Sequence, residues 1–315
     1  MADAPSAGPP PIFVVGAPRS GTHLVRFCLS RHSRLHIGPE TGFFISIYGN
    51  RRLVPPRAFP DRADALVDEL LRSGDPTMDD LLPLRDRLVE EIRTRRPPDY
   101  RALARLLLSA PAKAEGKPRW GEKTPLHVLY VDNILQLFPR ARIIFVRRES
   151  RNVVASYLRS PLLPDDLVAA LVQVRASVRA GARAVARGQV WEVRYEELVA
   201  RPEAVLRGVA DYVGETFEAA MLRPGMRDSS FGDGELMQRE EGLGIIQEDD
   251  ESEKWRRTLS EAEGDIVRRV VDGAPGTIPP GLRLRLARRS AVHRLMHLRN
   301  RWGWYGLKAP GGRPG

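Results

Sequence analysis

Residues 11–22, Pro-Ile-Phe-Val-Val-Gly-Ala-Pro-Arg-Ser-Gly-Thr, run a short apolar strand into a glycine-spaced loop and then into an amphipathic helix that begins at Thr22. Gly16 and Gly21 permit a tight turn, and the loop amides together with the positive end of the following helix converge on a single anion. The Gly16-x4-Gly21 spacing is that of a Walker A loop, yet Thr22 and His23 stand where that pattern requires Lys and Ser/Thr. The usual ATP machinery is therefore incomplete. Arg19 is the fixed cation inside the loop, and a planar guanidinium grips phosphate or sulfate oxygens as a bidentate fork.

What surrounds this loop is a chain of 315 residues, 42% hydrophobic, enough to bury a full core as one large domain. Fifty Lys and Arg against forty Asp and Glu give a formal charge of +10, which points to a polyanionic ligand, nucleic acid or an acidic membrane surface without choosing among them. Residues 1–10 read as a flexible leader with neither a basic n-region nor an apolar h-region. No later stretch is long enough to span a bilayer, so the expectation is a cytoplasmic protein. Cys28 is the single cysteine, which excludes an internal disulfide and a cysteine-based zinc site; it reads as a small core residue.

Strands are expected at 11–16, 34–38, near 120, at 142–146 and at 190–194. Helices are expected at 22–31, 126–137, 150–158, 166–187, 202–213 and 260–272. Between 50 and 115, apolar stripes at Leu66, Leu70 and Leu71, at Leu81, Leu84 and Leu88, and at Leu103, Leu106 and Leu107 suggest a helical insertion over the sheet edge. Alternation of this kind argues an α/β fold, a parallel sheet flanked by helices on both faces. A core domain of 11–275 is then followed by a basic helix and tail at 276–315. In such sheets ligands sit at the carboxyl ends of the strands, where Arg19, Glu40, the loop Gly121-Glu122-Lys123-Thr124-Pro125 and Arg148 all fall.

A second constellation is Ile143-Ile-Phe-Val-Arg-Arg-Glu-Ser-Arg-Asn-Val-Val-Ala-Ser156. A buried strand that emits arginines and then starts a helix places Arg148 at its exit and Ser156 two turns on, able to grip a second phosphate between them. A Walker B strand would end in a metal-binding Asp, whereas this one ends in Arg147 and Arg148.

On these motifs the chain resembles the sulfotransferases that use 3′-phosphoadenosine 5′-phosphosulfate (PAPS), in particular the branch related to tyrosylprotein sulfotransferases and bacterial small-molecule homologues. The likeness covers about 11–260 and implies the P-loop-like nucleotide-hydrolase fold with a helical insertion. Gly16, Ala17, Pro18, Arg19, Ser20, Gly21, Thr22 and His23 resemble the family's loop for the 5′-phosphosulfate. Arg148 through Ser156 resembles its 3′-phosphate motif, with Glu149, Ser150 and Asn152 departing from the usual Asp, Pro and Asp. Val193-Arg-Tyr195-Glu-Glu-Leu198 supports the match. Glu253-Lys254-Trp255-Arg256 is similar to the late segment that closes over the nucleotide, without the flanking glycines of many members.

The resemblance implies PAPS as donor, adenosine 3′,5′-bisphosphate (PAP) as product, no metal, and a small hydroxylated acceptor or, less favoured, an amine. Sulfuryl transfer passes through a loose, anionic transition state, so the protein mainly positions the nucleophile and stabilises charge. Arg19, the loop amides and Lys123 suit that work, and Glu40 is the expected general base, with Glu122 and His127 as rivals. Glu122 beside Lys123 reads as an ion pair that orients the lysine. The other classes weighed are a P-loop kinase or nucleotidase and a non-catalytic basic nucleic-acid binder; no nucleic-acid partner is expected.

His293 and His297 have the i,i+4 spacing of a helical zinc pair, but Arg294 stands where a zinc protease needs its glutamate. The stretch 282–302, with Ala291, Leu295, Leu298 and Trp302 on one face, reads as a helix docking on the domain, with a weak membrane-surface contact as the alternative. The insertion and residues 225–255, with Phe231-Gly-Asp-Gly234 and the acidic run Glu248–Glu251, are the expected walls of the acceptor pocket. Neither the acceptor nor the oligomeric state is readable.

Overall fold

A computed structural model describes residues 8–72, 81–223 and 251–299, the last stretch with side chains for 253–292. Residues 1–7 of the leader, Phe231–Gly234, the side chains of the Glu248–Glu251 run, those of His293 and His297, and the tail from 303 all lie outside the described residues.

Strand β1 (Ile12–Gly16) is followed by helix α1 (Thr22–Ser30) and strand β2 (Leu35–Gly38). Helices α2 (Phe43–Ser46), α3 (Ala63–Leu71), α4 (Arg85–Arg95), α5 (Tyr100–Leu108) and α6 (Ala110–Ala114) then lead to strand β3 (Arg119–Lys123). A 3-10 stretch at Pro125–Tyr130 and helix α7 (Val131–Leu137) precede strand β4 (Arg142–Arg147). Helices α8 (Ser150–Arg159) and α9 (Leu167–Ala186) connect to strand β5 (Trp191–Arg194). Helices α10 (Tyr195–Ala200), α11 (Pro202–Val213), α12 (Glu261–Val267) and α13 (Pro280–Arg299) follow.

The strands form one sheet in the order β2-β3-β1-β4-β5, and every pairing is parallel. All four connections therefore cross a sheet face, which is why helices cover both sides. Strand β1 shows the resulting two-residue alternation. Ile12 and Val14 pack with Leu24, Cys28, Ile144, Val193, Leu198 and Leu206, while Phe13 and Val15 pack with Phe44, Phe59, Leu103, Ile134 and Phe145. Cys28 is a core residue, and burial pushes its thiol pKa up to about 12.

Several expectations change. The leucines of the 50–115 region join Phe13, Val15, Ile143 and Phe145 in one core. Gly121-Glu122-Lys123 belongs to β3 rather than to a loop. The expected helix at 126–137 begins as 3-10 turn, and that at 260–272 passes into a π-helical turn at Arg268–Asp272. Helix α10 follows β5 directly and was not foreseen. Helix α13 docks on α9 through Leu286 and Ser290, with Arg175 Nη2 donating to Ser290 Oγ at 3.1 Å. Of its expected apolar face, the side chains of Leu295, Leu298 and Trp302 lie outside the described residues.

Helix α9 crosses the sheet at Gly181, where a Cβ would lie 2.1–2.5 Å from the Phe145 ring. Alanine is the better helix former by about 1 kcal/mol, but overpacking a filled core costs about 1–3 kcal/mol. Gly181→Ala is expected to lower the unfolding midpoint in urea or heat, the steric cost outweighing the gain in propensity.

Candidate active site

The winding of the chain reverses between β1 and β4: it leaves β1 toward β2 and leaves β4 toward β5. Loops at such a switch point diverge and leave a crevice at the carboxyl edge. The loop Ala17–Gly21 leaves β1 there, and Arg148 leaves β4 beside it.

The loop holds its shape through two left-handed residues, Arg19 at φ 70° and Gly21 at φ 96°. A Cβ at Gly16 would fall 2.6 Å from Ser20 Oγ and 2.7 Å from the Val146 carbonyl oxygen. Only glycine lets the loop fold back over the end of β4. At Gly21 a Cβ would meet the Tyr195 ring at 2.2 Å, so the ring closes the loop from the α10 side. Helix α1 starts without a side-chain cap and without an acidic residue in its first turn, which leaves its positive end to an incoming anion. Ser20 Oγ is buried and has no hydrogen-bond partner among the described residues, the state expected of a hydroxyl meant for a ligand oxygen.

Two groups of side chains flank this loop. On the β4 side, Arg19 Nε donates to Ser156 Oγ at 3.1 Å, and Arg148 Nη1 donates to the Arg19 carbonyl at 3.4 Å. The Arg148 guanidinium lies 4.4 Å over the Tyr195 ring. Glu149 caps α8 by accepting from the Asn152 amide at 2.9 Å and pairs with Arg151 Nε at 2.6 Å. Arg19, Arg148, Ser156 and Tyr195 are thus brought together from four elements.

On the β3 side, Lys123 Nζ lies 2.5 Å from Glu40 Oε1 and 2.6 Å from His23 Nε2, and His23 Nε2 lies 3.2 Å from the same Glu40 oxygen. Lys123 is fully buried, Glu40 nearly so, and the His23 side chain keeps 22% of its exposure. A buried ammonium without a counter-charge would cost several kcal/mol, and Glu40 supplies that charge.

The sequence expectation placed Arg19 and His23 together in the loop and Arg19 also beside Lys123; among the side chains, Arg19 meets Ser156 and Arg148, and His23 meets Lys123. Left-handed backbone at Arg19 turns its guanidinium toward α8, whereas His23, on the first turn of α1, reaches across to β3. Glu122 likewise does not pair with Lys123, because neighbours on a strand point to opposite faces. It accepts from the Thr41 amide at 3.2 Å, the Thr41 hydroxyl at 2.8 Å and the Thr124 hydroxyl, and meets His127 Nδ1 at 3.0 Å. This fully buried network fixes the turn that carries Glu40, and Thr41 and Thr124 gave no signal in the sequence beyond their adjacency to Glu40 and Lys123.

In the late segment, the Trp255 amide donates to Asn152 Oδ1 at 2.9 Å, and its indole lies between the Arg151 and Arg256 guanidiniums, each 4.6 Å from the ring. Trp255 is therefore an anchor of that segment on α8. Arg256 is held by the Glu253 and Glu261 carboxylates, and Lys254 is half-buried.

The sequence profile of the sulfotransferase family matches residues 10–219, which include both groups of side chains. The chain belongs to the sulfotransferase family. An uncharacterized protein of Aquifex aeolicus (strain VF5) is 24% identical over 232 residues, 67% of this chain and 26% of that protein. A protein-tyrosine sulfotransferase of Drosophila melanogaster is 25% identical over 275 residues, 84% of this chain and 50% of its own length. The chain thus spans from a quarter to half of the length of these two relatives. Its fold is similar to the sulfotransferase domain of the Synechococcus PCC 7002 olefin synthase, with a TM-score of 0.55 at 22% identity, covering 89% of this chain and 100% of that one.

Removing the Glu122 carboxylate would leave His127, Thr41 and Thr124 buried without their acceptor. Breaking a buried charged network costs about 3–5 kcal/mol. Glu122→Ala is expected to destabilise the fold by about that amount in urea unfolding, with Glu122→Gln losing less because it keeps an acceptor oxygen.

Proposed function

We propose that this chain moves a sulfuryl group from PAPS to a hydroxyl, or less readily an amine, of a small-molecule acceptor, with Glu40 as general base and without a metal. The observation that carries the reading is the Lys123–Glu40 pair, 2.5 Å apart and buried, beside a glycine-shaped anion loop that belongs to a sulfotransferase-family chain.

The residues of the loop fit a phosphosulfate: the backbone amides at the start of α1, the buried Ser20 hydroxyl and Thr22 offer donors to several oxygens at once. Arg19, Arg148 and Ser156, with Tyr195 stacked beneath Arg148, would hold the 3′-phosphate side of the same nucleotide. Lys254 and Arg256 stand at its rim in this reading, with Trp255 keeping their segment in place. When bound, the donor supplies the sulfuryl group and a phosphate oxygen able to leave with the bonding electrons. Lys123 holds Glu40 as a carboxylate, an acceptor-only group, and a carboxylate is the form that takes the acceptor's proton. The Lys123 ammonium, itself buried, would stabilise the charge that builds on the transferring oxygens.

The test combines binding and turnover. Calorimetry is expected to show PAP uptake and no comparable ATP uptake; the reverse preference would favour a phosphoryl transferase. Arg148→Ala removes a charge-assisted contact of about 1.5–3 kcal/mol, so PAP affinity is expected to fall about ten- to a hundredfold. With radiolabelled PAPS and a panel of hydroxylated metabolites, Glu40→Gln is expected to lower turnover by about 10²–10⁴-fold while PAP still binds. Full turnover by Glu40→Gln would remove Glu40 from the role of base.

A further inference from the structure

We propose that His23 is a positioning residue for the transfer step: as a neutral imidazole it accepts a hydrogen bond from Lys123 and keeps the ammonium in place when Glu40 becomes protonated. The inference rests on Glu40 as general base, and it gives His23 a task other than contact with the donor.

The argument starts from the donors and acceptors. Lys123 Nζ carries three N–H donors and no acceptor, so an imidazole nitrogen 2.6 Å away must be an acceptor. In the proposed arrangement His23 Nε2 is the acceptor and the ring proton sits on the buried Nδ1. A protonated His23 would set two cations 2.6 Å apart inside a site that gives Lys123 no exposure. The 3.2 Å approach of His23 Nε2 to Glu40 Oε1 is then the third side of a triangle whose hub is the ammonium.

Proton transfer changes what this triangle must do. The acceptor O–H bond breaks and its proton goes to Glu40, while the acceptor oxygen forms a bond to sulfur and the bond from sulfur to the leaving phosphate oxygen breaks with its electrons. At that moment Glu40 is neutral, and the buried Lys123 loses the charge that Glu40 supplied. His23 Nε2 offers a hydrogen bond that does not depend on the state of Glu40, so the ammonium stays aimed at the transferring group. Among the described residues, Lys123 from β3 and Glu40 from the turn after β2 face His23, while on α1 its ring lies 6.3 Å from that of Phe27.

Nitrogen-15 NMR of the histidine rings in the full chain reads the tautomer directly, without an acceptor. The Nδ1–H tautomer is expected for His23 in the wild type and also in Glu40→Gln, which mimics a protonated Glu40. In Lys123→Met it should revert to the Nε2–H form that imidazoles ordinarily prefer in water. An Nε2–H His23 in the wild type would overturn the proposal, since the ring would then be donating to Glu40.

A second measurement separates this role from donor contact. His23→Gln and His23→Ala are expected to bind PAP within about twofold of wild type by calorimetry, while the breakdown of radiolabelled PAPS with water as acceptor slows at least tenfold in His23→Ala and less in His23→Gln. A tenfold loss of PAP affinity with the hydrolysis rate at saturation unchanged would return His23 to the donor cradle. Full turnover by Glu40→Gln would sink the base assignment while leaving the tautomer result to stand, so the two failures are distinguishable.

Discussion

Strand β1 is hydrogen-bonded in parallel to β3 on one side and to β4 on the other, and this pairing governs the position of every side chain in the site. Parallel neighbours end at the same edge. The glycine loop after β1, Lys123 at the end of β3 and Arg148 beyond β4 are therefore brought to one crevice, with Glu40 added by β2 on the far side of β3. The two groups of side chains then differ by which neighbour of β1 they stand on. Arg19, Arg148 and Ser156 collect on the β4 side, and His23, Glu40 and Lys123 on the β3 side.

The site is costly to build, and the surrounding structure shows how the cost is met. Arg19 occupies a left-handed conformation that a non-glycine residue rarely adopts, and it is held there with its guanidinium on Ser156 and its carbonyl accepting from Arg148. Lys123 is charged and without solvent contact, stabilised by Glu40 at 2.5 Å. Glu122, one residue earlier, uses its own buried charge to clamp Thr41, Thr124 and His127, which fixes the backbone next to Glu40. The Glu122 carboxylate and the Lys123 ammonium thus sit on opposite faces of a single strand end, and strand alternation keeps them apart.

Much of the fold could be read along the chain, because its signals are local. The β1 apolar run, the Gly16 and Gly21 spacing and the start of α1 at Thr22 follow from turn chemistry and helix periodicity within a dozen residues. The apolar run at 142–146 was equally legible as a parallel strand, which extends one residue further to Arg147. The assignment of Gly121-Glu122-Lys123 to a loop failed because glycine and two charged residues resemble a turn, whereas β1 and β2 on either side supply the hydrogen bonds that make them a strand. The helices between β2 and β3 were recognised, but their place against the sheet face depended on which apolar surface lay open.

The sequence by itself determined the phosphate-type loop, the parallel α/β order and the identity of the charged residues at the strand ends, since each depends on spacing between near neighbours. Only the tertiary structure decided which of those residues face one another. His23 meets Lys123 across 100 residues of chain and Arg19 meets Ser156 across 137, so their partnership rests on strand order and on the backbone twist at one loop residue. No local pattern encodes either.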